Sequence, residues 1–181
     1  MSKRAYLIVW SSCKQAVYLG VNAHTHSIML FGGGMMPKDG NSPKRTAFRE
    51  TREEIGGLYN GSINNFRNVL NEDDIYVYSE DYHLHLGKTI TGASKECSAI
   101  LKVPAAEIRK IASLTEEEFA KALLTYVHGH TGSIRPTANK ALDEIKITGS
   151  NFTGKDGWKT RTALHRFAKS VTSWNNDIEL L

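Results

Sequence analysis

Long apolar runs and cysteines are both scarce in this chain, and each scarcity excludes something. The longest apolar run near the start is Ala5 to Trp10, "AYLIVW". It is too short for a signal-peptide core or a membrane span. A cytoplasmic protein with no membrane partner is the expectation, although a signal for a dedicated secretion system would leave no such mark. Cys13 and Cys97 are the two cysteines. They cannot supply a disulfide framework, which fits a reduced compartment or a secreted protein without bridges. No internal repeat, low-complexity tract or linker divides the sequence. Its 181 residues, 40% hydrophobic and 23% charged, suit one domain spanning 1–181 with a core of useful size. The net charge of +4 favours anionic ligands such as phosphate compounds without establishing nucleic-acid binding.

Strands come first. "RAYLIVW" and "AVYLGV" read as two, separated by the polar turn "SSCKQ", and "SIMLF" (Ser27 to Phe31) reads as a third that ends at three glycines. Ser42 stands where a helix N-cap belongs, with Pro43 at the first helical position. Ala47, Thr51, Ile55 and Leu58 follow at helical spacing beside Phe48, and Gly56 and Gly57 supply a stop. "DIYVY" and "YHLHLG" predict a hairpin around "SEDY", and "CSAILKV" predicts a strand stopped by Pro104. Thr115 and Glu118 form a capping box for "EEEFAKALLTYV". Another helix is expected after Pro136, and one more from about Trp158 to Val171. Residues from about 136 to 181 thus read as a helical C-terminal extension. The whole predicts an α/β fold, a mixed sheet with helices packed on it.

The helix after the glycines carries an arrangement that local stability does not favour. Glu50, Glu53 and Glu54 stand at i, i+3 and i+4, within roughly 100° of arc on one side. Carboxylates about 6 Å apart repel by about 3 kcal/mol per pair at an effective dielectric near 20. They also sit at the helix C-terminus, where the macrodipole disfavours negative charge. Arg49 reaches Glu53 at i+4, in the poorer order for a helix pair. A hard divalent cation resolves the conflict, because magnesium takes oxygen ligands and commonly joins carboxylates to substrate phosphates. Gly32, Gly33 and Gly34 let backbone approach a phosphate closely, and Lys38, Lys44 and Arg45 add positive charge nearby. A solvated helix face is the plainer reading of such a charge run, but it leaves the glycines and the ordered caps unexplained.

From Gly34 to Gly57 the chain resembles the Nudix box, a Gly and a Glu followed by Arg-Glu, an apolar residue, any residue, Glu-Glu, any residue and Gly. Arg49, Glu50, Glu53, Glu54 and Gly56 match position by position. The resemblance implies an α/β/α sandwich with a mixed sheet, additional helices lying C-terminal to it. It also implies metal-dependent hydrolysis of a diphosphate linkage attached to another group. Glu50, Glu53 and Glu54 would ligate Mg2+ or Mn2+, Arg49 would orient the carboxylates, and a further carboxylate outside the box would act as base. Glu96, just before "CSAILKV", is the first candidate for that base and Glu80 the second. Lys38 and Lys44 would contact phosphate. Three departures stand out. Asn41 replaces the first Glu, Gly34 lies one residue too far away, and Thr51 and Gly57 occupy apolar positions.

The expected substrate is a small-molecule diphosphate, first a nucleoside diphosphate-linked compound. "GGGM" followed by a Pro is similar to the loop of diphosphoinositol polyphosphate phosphohydrolases, and inositol pyrophosphate is one alternative. Capped or phosphorylated RNA ends are another, without an RNA-reading motif to support them. From a different class, Asn41 and the loop insertion favour a catalytically weak Nudix-fold binding or regulatory module.

Other features have plainer readings. Three His-x-His pairs, His24/His26, His83/His85 and His128/His130, each have strand spacing for zinc but no cysteine partners. Trp10, Tyr82 and Trp158 suit core packing before base stacking. Lys159, Arg161, Arg166 and Lys169 give the last helix a solvated basic face. "TEEEF" is a helix start before it is a second metal site.

Overall fold

A computed structural model describes residues 4–11, 15–55, 63, 66–71, 75–79, 96–137, 140–149 and 157–172. The strands β1 (Arg4–Ser11), β2 (Ala16–Asn22), β3 (Ile28–Met29), β4 (Phe31–Gly34), β5 (Phe66–Asn71), β6 (Ile75–Ser79), β7 (Cys97–Pro104) and β8 (Ile134–Pro136) form one sheet. Its order is β5-β6-β1-β2-β7-β8, with β3 joined to β2 and β4 to β1. β1 and β6 run parallel and the other pairs antiparallel, so the sheet is mixed.

The apolar run of β1 is buried on both faces, as strand periodicity requires of a central strand. Ala5, Leu7 and Val9 meet Ala47 and Ile55 of helix α1 (Pro43–Ile55). Tyr6, Ile8 and Trp10 face the other way. They join a larger core with α2 (Ala105–Ile111), α3 (Glu116–Gly129) and α4 (Gly157–Thr172). Phe119, Leu123, Leu164 and Phe167 are fully enclosed there, each contributing about 1.5–3 kcal/mol. Phe167 meets Trp10 edge-on, with ring centroids 6.2 Å apart. Helices therefore cover both faces, giving the α/β/α sandwich. Among the described residues no helix is long and apolar enough to cross a membrane.

"SIMLF" is not a single strand. Ile28–Met29 pairs with Val21 and Gly20 of β2, whereas Phe31–Gly34 pairs with Leu7 to Arg4 of β1. β1 and β2 are paired at Val9–Ser11 and Ala16–Tyr18, and beyond that they splay. The chain crosses the fork at Leu30 and fills both sides. This crossing carries the glycines to the edge of α1.

The α1 cap is as the sequence predicts. Ser42 Oγ accepts from Arg45 N at 3.3 Å, and Thr46 N donates to Ser42 O. Thr115 caps α3 by accepting from Glu118 N. The described stretch after Pro136 departs from the expected helix, holding a single 3-10 turn at Leu142–Glu144. Sheet contacts claim the chain there instead. Ile134–Pro136 pairs with β7, Thr137 Oγ1 donates to Cys97 O, and Thr148 N donates to His26 O. β5 (FRNVLN) was not expected from its polar sequence. Cys13, Gly56, Gly57, Leu58, Glu80, Tyr82, His83, His85 and the "YHLHLG" strand lie outside the described residues, as do the side chains of Trp158 and Lys159.

Candidate active site

The turn that feeds α1 is built around a carboxylate. Asp39 closes a 3-10 turn (Pro37–Asp39), after which Gly40 and Asn41 both take left-handed backbone, φ +62° and +57°. Gly and Asn are the residues that tolerate this conformation. The reversal tucks Asp39 inside, 3% exposed. Its Oδ2 accepts from Met36 N at 2.9 Å, Thr46 Oγ1 at 3.0 Å and Arg49 Nη2 at 2.9 Å, and its Oδ1 accepts from Arg49 Nε at 2.9 Å. These bonds to the ionised form, led by those from Arg49, hold the carboxyl well below the usual range despite its burial.

Arg49 spends its fork on the same network. Nη2 also donates to Gly34 O at 2.9 Å, and Nη1 donates to Glu50 at 3.0 Å and to Glu53 at 3.2 Å. Its guanidinium pKa is raised, first by the bonds to Asp39. One arginine thus ties strand β4, the turn and two of the three helix glutamates.

The three glutamates share a side of α1 but not an environment. Glu53 is 49% exposed at the side chain. Glu50 lies over β4. A Cβ built on Gly33 would come within 2.6 Å of the Glu50 carboxyl carbon. Glu54 is 3% exposed and accepts from Gly32 N at 2.7 Å. Gly32 in turn lies against β1, where a Cβ would meet Ala5 O at 2.3 Å. Gly32 and Gly33 therefore serve close packing of the site's own parts. Desolvation raises the pKa of Glu50, and it raises that of Glu54 strongly, with the neighbouring carboxylates Glu50, Glu53 and Glu96 adding to it. The Cys97 thiol is pushed up to about 12 by burial and by the charge of Glu54.

Two cavities meet at this cluster. One of about 500 Å³ is lined by Met36, Lys38, Arg49 and the carboxylates Glu50, Glu53, Glu54 and Glu96. The other, about 330 Å³, shares Glu50, Glu54 and Glu96 and runs past Gly32, Gly33 and Gly34 to Arg4, Tyr6 and His24. Glu96 lines both cavities with Glu50 and Glu54, and Lys38 lines the larger one. Lys44 lines neither cavity. The carboxylate oxygens form a donor set suited to a hard divalent cation. Glu54, buried and raised in pKa, with Glu50 beside it fits such an ion. Among the described residues no three acidic, histidine or cysteine side chains close on one point.

Sequence reasoning missed Asp39. Counting back from Arg49 lands on Asn41, but an acid two residues earlier, just before a Gly-Asn reversal, was the available signal. Arg4 and Tyr6, read from the sequence only as strand residues, line the smaller cavity. His128 and His130 have structural employment. His128 Nε2 lies 2.5 Å from Ile147 O, and His130 stacks on Tyr126 with centroids 4.0 Å apart. Arg161 of the basic helix pairs with Glu116 at 3.0 Å.

No protein-family model matches this sequence, and no curated protein matches it. Among solved structures the chain is similar to a C. elegans Ap4A hydrolase in a binary complex. That match has 18% identity and a TM-score of 0.45, and covers 71% of this chain and 99% of the other. It is also similar to a mutator MutT protein from Bacillus halodurans, with 16% identity and a TM-score of 0.43 over 66% of this chain and 80% of the other. Identities this low say nothing about what the present chain binds or cuts.

Proposed function

We propose that this protein is a hydrolase of diphosphate linkages in nucleoside diphosphate-linked compounds, working with magnesium or manganese. The observation that carries the reading is the convergence of Glu50, Glu53, Glu54 and Glu96 on one cavity, with two of them raised in pKa by burial. Glu50, Glu53 and Glu54 would hold the ion. When bound, it neutralises the diphosphate and lowers the pKa of a water. Arg49 keeps Glu50 and Glu53 in place through Nη1. Lys38 offers positive charge in the same cavity. Glu96 accepts the proton of the attacking water as its oxygen bonds to phosphorus. The bridging phosphorus–oxygen bond breaks in line, and two phosphorylated products leave.

The rival reading, a weak binding module, drew its support from Asn41 and the loop insertion. The Asp39–Arg49 pair removes much of that support, because a buried carboxylate stands two residues from the position that lacks one.

The test is a panel of nucleotide sugars, dinucleoside polyphosphates, nucleoside triphosphates, inositol pyrophosphates and capped RNA, each with magnesium, manganese or chelator. Cation-dependent release of product, lost in Glu53→Gln and Glu54→Gln, is expected. Undiminished turnover in both variants removes the site assignment, and no turnover of any compound favours the binding module.

A further inference from the structure

The larger cavity has one wall that the proposed chemistry does not use. Met36 lines it, and every other lining residue among those described is charged. Met36 is 48% exposed, one of two large apolar side chains this open among the described residues. The other, Leu142, lines neither cavity. The Met36 backbone is fixed. Pro37 confines the residue before it to extended conformations, and Met36 has φ -118° and ψ 156°. Met36 N donates to Asp39 Oδ2 at 2.9 Å, and Asp39 N donates to Met36 O at 2.9 Å. The same Oδ2 accepts from Arg49 Nη2, and Arg49 Nη1 donates to Glu50 and Glu53. One network therefore holds the root of an open thioether together with carboxylates of the cavity.

We infer that the Met36 side chain is the platform on which the nucleobase of the substrate rests, and so selects base-bearing diphosphates over phosphorylated compounds without an aromatic ring. The inference rests on the diphosphate-hydrolase reading and names the part of the substrate that this wall meets. A lone exposed methionine on an open surface is ordinary. Here it is the one apolar member of an otherwise charged lining. A volume of about 500 Å³ falls in the range that takes a drug-sized ligand, so there is room for more than a diphosphate and its ion. A nucleoside diphosphate is divided in the same way. Its phosphates suit a bound cation and Lys38, and its flat aromatic base suits neither. The thioether is polarisable and makes favourable contacts with aromatic rings. Its unbranched chain adapts to purine or pyrimidine alike, so Met36 favours a base without choosing which. An inositol pyrophosphate, all phosphates and oxygen-bearing carbons, gains nothing from it.

The test measures equilibrium binding of methylenediphosphonate and methylene-bridged ADP, which the proposed reaction cannot cut, to the full chain in magnesium. The second probe carries adenosine on the same phosphorus–carbon–phosphorus unit. Met36→Gln, similar in length but polar, is expected to weaken the ADP analogue about two- to tenfold, the scale of a sulfur–aromatic contact. It should leave methylenediphosphonate binding unchanged, and Met36→Leu should keep most of the affinity for the ADP analogue. Magnetic resonance of the chain isotope-labelled at its methionine methyls gives the direct readout. The signal that disappears in Met36→Leu should move upfield when the ADP analogue binds, far more than with methylenediphosphonate. Unchanged affinity of Met36→Gln for the ADP analogue, equal weakening of both probes, or an unmoved methyl signal each overturns the assignment. A wild type that binds methylenediphosphonate and gains nothing from adenosine overturns it too, and leaves the metal-diphosphate site standing. A wild type that binds neither probe also removes it. Turnover in the substrate panel then keeps the hydrolase reading, and an inert panel removes that as well.

Discussion

Gly33 and Glu50 occupy what would be one side chain's space. A Cβ at position 33 would fall 2.6 Å from the Glu50 carboxyl carbon, and 2.7 Å and 2.8 Å from its oxygens. Strand β4 is therefore a floor that the helix carboxylate lies on. Gly33→Ala pushes Glu50 off that floor, and a displacement of about 1 Å in a positioned catalytic group costs on the order of a hundredfold in rate. The expected outcome is that loss in kcat with the circular dichroism spectrum retained. Gly34→Ala is the control, since its Cβ meets nothing within 4 Å.

Asp39 is the next case, because it concerns stability and position together. Asp39→Asn leaves Arg49 without its main counter-ion in a half-buried site, a loss of about 3 kcal/mol. The sign with pH follows from the depressed carboxyl. The stabilisation is fully present above the ordinary value of 3.8, and it disappears as pH falls through the lower folded value. Denaturant titrations at stepped pH should show the wild-type advantage over Asp39→Asn constant at neutrality and shrinking below about pH 4. An advantage independent of pH down to acid unfolding would contradict the ion-pair account.

Much of this site was legible before any coordinates. Ser42 and Pro43 announce the start of α1, and the spacing of Ala47, Thr51 and Ile55 announces its buried side. The i, i+3, i+4 spacing of Glu50, Glu53 and Glu54 announces one shared side of α1, and all three line one cavity. What stayed hidden depends on the third dimension. Asp39 meets Arg49 because a Gly-Asn reversal turns it inward, and motif counting does not see a turn. "SIMLF" looks uniform, yet Leu30 falls where β1 and β2 part, and the splay of two other strands is not written in those five residues. β5 pairs through its backbone, which a polar sequence such as FRNVLN does not advertise.

Glu54 sets stability against function. Its folded pKa lies above the ordinary value of 4.5, so its contribution to stability is present below that value and is lost as pH rises through the folded pKa. Glu54→Gln removes the buried charge and keeps an amide oxygen to accept from Gly32 N. In chelator at pH 8 the variant should melt several degrees above wild type, and at pH 4 the two should melt together. Added magnesium should raise the wild-type melting temperature and leave the variant nearly unmoved. A variant that melts lower than wild type in chelator at every pH would show that the buried carboxylate is not strained.

Glu96 separates a base from a bystander. It is exposed, in the turn that precedes β7, so Glu96→Gln should not lower the melting temperature. If it takes the proton from the attacking water, the variant loses on the order of a hundred- to ten-thousandfold in kcat. KM should hold. Hydroxylamine or another strong nucleophile, which needs less help with its proton, should narrow the gap between variant and wild type. Glu80→Gln run beside it tests the other carboxylate that the sequence put forward. A large loss there, with Glu96→Gln near wild type, transfers the role of base to Glu80 and leaves Glu96 as one more negative charge on the cavity wall.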